Sequence, residues 1–313
     1  MKIAKDNQFI PNRQSVARIL EQYGLELKAY SAAASGIENI TLIADTSKGK
    51  FVVRVYRQHK KGSTEIFREL DFMEYLRTHM VKVPMIITNT EGSRLASAQF
   101  GGKTWQIIVM EFVEGRHASI YTDALLADLA STQARMHILS STYKDAYAGP
   151  ELLTRLTENY FITQIPQTLI TDDALPAFLD RAKAYELHLP PELPHGLCHL
   201  DYDSNNVLVK DNTIAAVLDF DDLALAPFVV CLSYTLWHVY THAGESAAQT
   251  YLRHYAAHRK LSDLELQYLA PTMLFRHYVL SAIAILSGRT SPEKIAAFIR
   301  HEAALGQKPG IRT

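Results

Sequence analysis

The run Cys198-His199-Leu200-Asp201-Tyr202-Asp203-Ser204-Asn205-Asn206-Val207-Leu208-Val209, with Val217-Leu218-Asp219-Phe220-Asp221-Asp222 soon after it, constrains this chain more than any other stretch. Apolar residues flank a polar loop, and the residues after it read as a strand pair turning at Lys210-Asp211-Asn212. A hairpin between Val207 and Leu218 carries Asp219 back to the loop that holds Asp201 and Asn206. The fold must therefore bring two carboxylates and an amide to one place.

That set has a chemical logic. A phosphoryl group in transfer carries several negative charges, so catalysis is mostly positioning and neutralisation. One carboxylate has to orient or accept the proton of the attacking hydroxyl. A second carboxylate and an amide oxygen suit Mg²⁺, a hard cation that prefers oxygen ligands. The pattern H-x-D-x-x-x-x-N, then a strand pair, then D-F-D, has the spacing of a kinase catalytic loop and its metal-binding aspartate. Asp201 is then the candidate base, with Asn206 and Asp219 as candidate metal ligands. Three other readings compete. A calcium loop of the EF-hand type starting at Asp201 needs glycine at its sixth position and glutamate at its twelfth, where Asn206 and Asn212 stand. A plain surface connection does not account for Asp and Asn at fixed offsets from two apolar strands. A metal hydrolase built on His195, His199 and Asp201 needs a helix to converge its histidines, and Pro194-His195-Gly196 disfavours one.

Around this centre the texture of the chain changes from strand to helix. Val16, Ile19, Leu20 and Tyr23 follow an amphipathic helical period that Gly24 can end. Ile40 to Ala44 and Phe51 to Tyr56 read as strands joined through Asp45 to Gly49, with helical spacing at Phe67, Leu70, Met73 and Leu76. A second hairpin turns at Gly101-Gly102 before Ile107-Ile108-Val109-Met110. After Glu114-Gly115 the chain turns helical, from Asp123 to Leu139 and beyond; Ser262 with Glu265 forms a capping box, and Ser291-Pro292 opens a last helix. The expected organisation is a β-rich unit over 1–113, a link near 111–115, and a helical unit over 114–313.

Composition closes off several function classes. Lys and Arg number 32 against 33 Asp and Glu, without the basic excess that phosphate neutralisation by nucleic-acid binders requires. Cys198 and Cys231 are the two cysteines, too few for a disulfide framework, so a reducing cytoplasm is expected. The N-terminus turns polar within a few residues and lacks a signal-peptide core. Leu223 to Trp237 is apolar but short and holds Pro227, which favours a buried helix over a membrane span.

On these residues the chain resembles the aminoglycoside phosphotransferase and choline kinase superfamily, which also includes homoserine and methylthioribose kinases. The likeness runs over about residues 25 to 240. His199, Asp201 and Asn206 match its catalytic loop, and Asp219 its second metal ligand. The resemblance implies an α+β, two-lobed protein-kinase-like fold with a β-rich N-terminal lobe and a mainly helical C-terminal lobe. It places Ser35-Gly36-Ile37-Glu38-Asn39 at the phosphate loop, where small residues let backbone N–H groups approach phosphate. Arg54, in Phe51 to Tyr56, falls where many members carry lysine toward the α and β phosphates, and Glu69 becomes the helix glutamate that orients it. Backbone groups of Glu111 and Val113 would bond adenine at a hinge, and Met136-His137 would end a helix behind the catalytic loop.

The implied activity is transfer of the γ-phosphate of ATP or GTP, with Mg²⁺, to a hydroxyl of a small molecule. Asp203, Asp221 and Asp222 make an amine-bearing acceptor the expectation, such as an aminoglycoside, choline, ethanolamine or homoserine. Neither nucleic acid nor membrane is expected as a partner. The alternatives are a catalytically silent nucleotide-binding module and the metal hydrolase. Departures are local. Val230-Cys231-Leu232-Ser233 stands where the family usually has an aspartate bracing the catalytic loop. Leu200 replaces the arginine of the protein-kinase H-R-D, and the short run from Asp219 to Pro227 leaves no room for a long activation segment.

Overall fold

A computed structural model describes residues 10–33, 39–56, 61–118, 120–144, 163–166, 175–288 and 290–306. Helix α1 (Arg13–Glu21) starts where the Asn12 side chain accepts from the Ser15 amide at 2.9 Å. Strands β1 (Leu27–Ala32), β2 (Ile40–Thr46), β3 (Gly49–Tyr56), β4 (Ile86–Ile87), β5 (Ala96–Phe100) and β6 (Lys103–Glu111) form one antiparallel sheet. Its order is β1-β2-β3-β6-β4, with β5 also on β6. Helix α2 (Ser63–Thr78) follows β3.

The period of two along the central strands decides what each face carries. Val53, Val55, Ile107 and Val109 point to one face and bury against Val16, Ile19 and Leu20 of α1. Tyr56, Ile108 and Met110 point to the other and join Ile66, Leu70 and Met73 of α2. Arg54, one residue from Val53 and Val55, is thereby set on the α2 face. This second core continues into the helical region through Leu126 and Leu129, Val207 and Val217, and Leu232 and Leu236.

The C-terminal region holds β7 (Arg116–His117), α3 (Asp123–Thr142), α4 (Leu175–Ala184), β8 (His195–His199), β9 (Val207–Lys210), β10 (Thr213–Val217), β11 (Leu223–Pro227), α5 (Phe228–Ala243), α6 (Glu245–His258), α7 (Asp263–Leu286) and α8 (Pro292–Gly306). The β9–β10 hairpin turns through Asp211 and Asn212 at φ 51° and 59°, the pair of positive values that a tight two-residue turn needs. Ser262 and Glu265 form the expected capping box on α7. A single buried helix over Leu223 to Trp237 is not what forms. Leu223–Pro227 is a strand paired antiparallel with β8, and the helix begins at Phe228. Pro227 decides this, because its fixed φ, here −58°, suits a helix entry while it disfavours helix in the residue before it.

Among the described residues α7 is the one helix long and apolar enough to cross a membrane, and half of its most apolar window is buried inside the protein. The sheet-rich N-terminal region and helical C-terminal region are those of a protein-kinase-like fold.

Candidate active site

The site grows from β8. Its last residue, His199, is 3% exposed. The ring Nε2 lies 2.7 Å from the Leu218 carbonyl and must donate to it; Nδ1 lies 3.3 Å from the Asp201 amide and must accept. Both nitrogens therefore brace the loop. His195 sits four residues back on the same strand, about 13 Å away by strand rise, and is exposed. The His195, His199 and Asp201 metal set consequently does not assemble.

Asp201 lies at the loop's start with its side chain 38% exposed. The Asn206 amide nitrogen donates at 2.8 Å to both its Oδ2 and its carbonyl oxygen. With that nitrogen engaged, the amide presents its oxygen elsewhere. The Leu218 amide donates to the Asn206 carbonyl at 2.7 Å, which ties Asn206 to the residue preceding Asp219. Asp219 adopts φ 59°, ψ 70°, a left-handed backbone that aspartate tolerates better than most residues, with its side chain 44% exposed. An exposed carboxylate beside an amide oxygen is a donor set that fits a hard divalent cation.

Arg54 arrives on this cluster from β3. Its guanidinium bonds Asp219 and reaches Asp221 Oδ2 at 2.7 Å, while Glu69 Oε1 stands at 3.8 Å. Glu69, 1% exposed on α2, accepts from Tyr56 at 3.1 Å and from Lys61 at 2.9 Å; Lys61 also reaches Asp221 at 3.4 Å. Asn39 donates to Asp221 as well. Partial desolvation by the surrounding protein acts to raise the Asp219 carboxyl, but Arg54 outweighs it and holds the group below the usual carboxylate range. Burial pushes Asp221 up to about 6, Arg54 and Lys61 opposing it and Glu69 and Asp219 adding to it. Two cations thus hold three carboxylates, and removing the larger cation leaves charges buried. We expect Arg54→Met to lower unfolding free energy by about 3–5 kcal/mol, read from urea midpoints. An unchanged midpoint would show that the cluster carries no such strain.

On the other side of Asp201 a cavity of about 110 Å³ is lined by Leu200, Asp203, Tyr234, Trp237, His238 and Arg276, with Asp201 in its wall. Of the three aspartates assigned to the acceptor, Asp203 alone lines it; Asp221 faces Arg54, and Asp222 is exposed on the 3₁₀ turn after Asp219. After the left-handed residue at Asp219 the chain enters a tight 3₁₀ turn whose side chains part, Asp221 swinging to Arg54 on β3 while Phe220 is buried against His199. Asp203 bonds His238 Nδ1 at 3.2 Å, and His238 Nε2 bonds Ser204 at 3.1 Å. Burial first, then His242, pushes His238 down to about 4; burial, with His301 adding, does the same to His277. Both rings are neutral when folded, and above pH ~6.5 they are neutral unfolded as well. As pH falls from ~6.5 toward 4 the unfolded chain takes up protons first, so stability is lost. The two rings together contribute a loss of roughly 2–4 kcal/mol between pH 6.5 and pH 5, which proton uptake by folded Asp221 near pH 6 offsets by about 1 kcal/mol. Chemical denaturation at the two pH values checks it, and equal midpoints would refute it.

The departure at Cys231 has a direct outcome. Its Sγ donates to the His199 carbonyl at 3.1 Å, and Thr235 Oγ1 donates to the Tyr202 carbonyl at 2.9 Å. Two bonds from one face of α5 brace the loop, a weak thiol donor being seconded by a hydroxyl. His137 is 1% exposed, bonded to Tyr255 at 2.7 Å and stacked on Phe228. At the link, the Glu111 amide donates to the Met85 carbonyl at 2.9 Å and its Oε1 accepts from the Met85 amide at 2.8 Å. Its carbonyl and the groups of Val113 are then what a base could use. Ser35 and Gly36 lie outside the described residues. Lys61, His238 and Arg276 were not anticipated from sequence, and Asn39, read as the end of the phosphate loop, was not expected to bond Asp221. Arg276 had a signal, a lone arginine in the apolar run Met273 to Leu286.

Residues 29–264 match the model of the phosphotransferase enzyme family. A homoserine kinase from Bradyrhizobium diazoefficiens is 26% identical over 258 residues, spanning 80% of this chain and 77% of that protein. One from Afipia carboxidovorans is 25% identical over 257 residues, with 80% and 77% covered. Among solved structures, an amicoumacin kinase in complex with AMP-PNP, Ca²⁺ and Ami superposes with TM-score 0.77 at 19% identity, over 96% of this chain and 95% of that one. A microcompartment-associated aminopropanol kinase superposes with TM-score 0.73 at 19% identity, over 96% and 99%.

Proposed function

The chain belongs to the phosphotransferase enzyme family, and we propose that it is a small-molecule kinase whose base is Asp201 and whose acceptor occupies the cavity beside it. The observation that carries this reading is one loop that presents Asp201 to that cavity and, through Asn206, ties itself to Asp219 and Arg54. In the reaction the acceptor hydroxyl oxygen forms a bond to the γ-phosphorus. The bond from that phosphorus to the β–γ bridging oxygen breaks, and the nucleoside diphosphate leaves with its electron pair. The hydroxyl proton passes to the Asp201 carboxylate. Asn206 holds that carboxylate by one oxygen and so fixes its direction. Arg54 lies where it could neutralise phosphate oxygens, and Glu69 and Lys61 keep its surroundings charged and packed. Asn206 and Asp219 would hold a divalent cation, Mg²⁺ being the first choice, which supplies charge neutralisation at the phosphates when bound.

The nucleotide reading extends to Glu111 and Val113 as the adenine contacts, to Ser35 and Gly36 as the phosphate loop, and to a division into lobes near 111–115. ATP is the nucleotide we favour. A cavity of about 110 Å³ supports a small acceptor over a multi-ring aminoglycoside, since pockets for drug-sized ligands run from roughly 300 Å³. The names of the relatives, homoserine kinase and aminopropanol kinase, agree with a short amino alcohol. The test is nucleoside diphosphate release across short amino alcohols, hydroxy acids, sugars and aminoglycosides. Release with a member of the first groups supports the reading. A folded protein that binds Mg-ATP and turns over none of them refutes it, and would favour the silent module.

A further inference from the structure

The acceptor cavity is not simply acidic. Arg276, in the middle of α7, reaches into it with its side chain 18% exposed. Its guanidinium stacks 4.3 Å over the Tyr234 ring and donates to Asp201 Oδ1 at 3.1 Å. Its Nε is buried with no partner among the described residues. An arginine has five donors in a planar fork, and burying them incompletely bonded costs free energy that an apolar side chain in the same helix would not incur. Nor is the base left open by it, because Arg276 occupies Oδ1 of Asp201 while Asn206 occupies Oδ2. Both arrangements make sense if the cation has another partner during turnover. The partner that a planar, aromatic-stacked fork suits best is an oxyanion held by two parallel bonds.

Asp203 lines the same cavity. Its Oδ1 accepts from the Asn205 amide at 2.6 Å, and its Oδ2 faces His238 at 3.2 Å. His238 carries no compensating charge near neutral pH, since burial holds it at about 4. Besides the base Asp201, the cavity therefore offers one further carboxylate and one cation in a volume suited to a compact molecule.

We propose, on the reading of this protein as a small-molecule kinase, that the acceptor is a hydroxylated amino acid bound as its zwitterion. Arg276 pairs with its carboxylate and Asp203 with its ammonium, while the hydroxyl faces Asp201. In this arrangement the incoming carboxylate draws Arg276 off Asp201, so that acceptor binding itself frees the base. Arg276 is thus the residue that separates amino acids from the amines left when their carboxylate is removed.

Matched pairs test this, each a hydroxy amino acid and its decarboxylated counterpart: L-homoserine with 3-aminopropan-1-ol, and L-serine with ethanolamine. The wild type is expected to favour the carboxylate member of at least one pair by ~10-fold or more in kcat/KM. In Arg276→Met that ratio falls ~100-fold, chiefly through KM of the acid, as expected for a lost charge-assisted pair. Arg276→Lys, which keeps the charge without the fork, recovers part of the ratio, and nucleotide affinity and melting temperature report that both variants fold. A wild-type preference for the amines, or an equal loss on both members in Arg276→Met, overturns the proposal while leaving the kinase reading intact. The equal loss would place Arg276 on the phosphoryl group or the base instead. Turnover of sugars or aminoglycosides but of neither pair also overturns the proposal alone. Diphosphate release with no acceptor of any class overturns the kinase reading, and the proposal with it.

Discussion

Asp201→Asn lowers kcat by about 10³-fold, within the ~10²–10⁴ range that a positioned base contributes. The change removes a proton acceptor and the charge that Arg276 pairs with. Asparagine retains one oxygen that can accept from Asn206, and Asp201 is at the surface of the loop rather than in the core. The nucleotide KM should move by less than about threefold, since neither Arg54 nor Asp219 touches Asp201 directly. The melting temperature should move by no more than a few degrees, because the side chain is 38% exposed and, among the described residues, is answered by Asn206 and Arg276. Steady-state kinetics with the preferred acceptor is the check. Full activity in Asp201→Asn would remove the base from this loop altogether.

Asp219→Ala produces the other large effect, and of a different kind. It takes away the exposed carboxylate of the proposed cation site and one of the two carboxylates hydrogen-bonded to Arg54. We expect kcat/KM to fall by at least ~10²–10³-fold, the scale at which one preorganised electrostatic partner of the transferring group is lost. Raising Mg²⁺ should recover some activity if the remaining ligand, Asn206, still binds, and none in the double variant with Asn206→Ala. Arg54 keeps its bond to Asp221, so folding survives, in contrast to Arg54→Met. Wild-type affinity for Mg-nucleotide in Asp219→Ala would mean that the cation is held elsewhere.

These two residues were legible before any fold was known because a loop followed by a tight hairpin leaves few ways to arrange Asp201, Asn206 and Asp219. The strand over Phe51 to Tyr56 was equally plain, while the face that Arg54 takes follows from its alternation once β3 pairs with β2 and β6. What could not be read depends on long-range packing. Arg276 stands 75 residues from Asp201, and nothing in local sequence says which turn of α7 meets the catalytic loop. Lys61 competes for Glu69 because β3 and α2 place them together. Likewise the split of Leu223 to Trp237 into strand and helix was masked by uniform apolarity, with Pro227 as the one mark of the break. The brace from Cys231 was flagged only as a missing aspartate; that a thiol and Thr235 divide its work follows from how α5 packs under the loop.

The pairing of β11 with β8 begins at Leu223, four residues after Asp219, and the chain enters α5 directly from its end. Every residue between the aspartate and the helix is thus in regular structure or a single turn. A signalling kinase keeps slack at this point, which a modifying enzyme can tighten. Here the tether is already taut, so covalent marking of this stretch has nothing left to order.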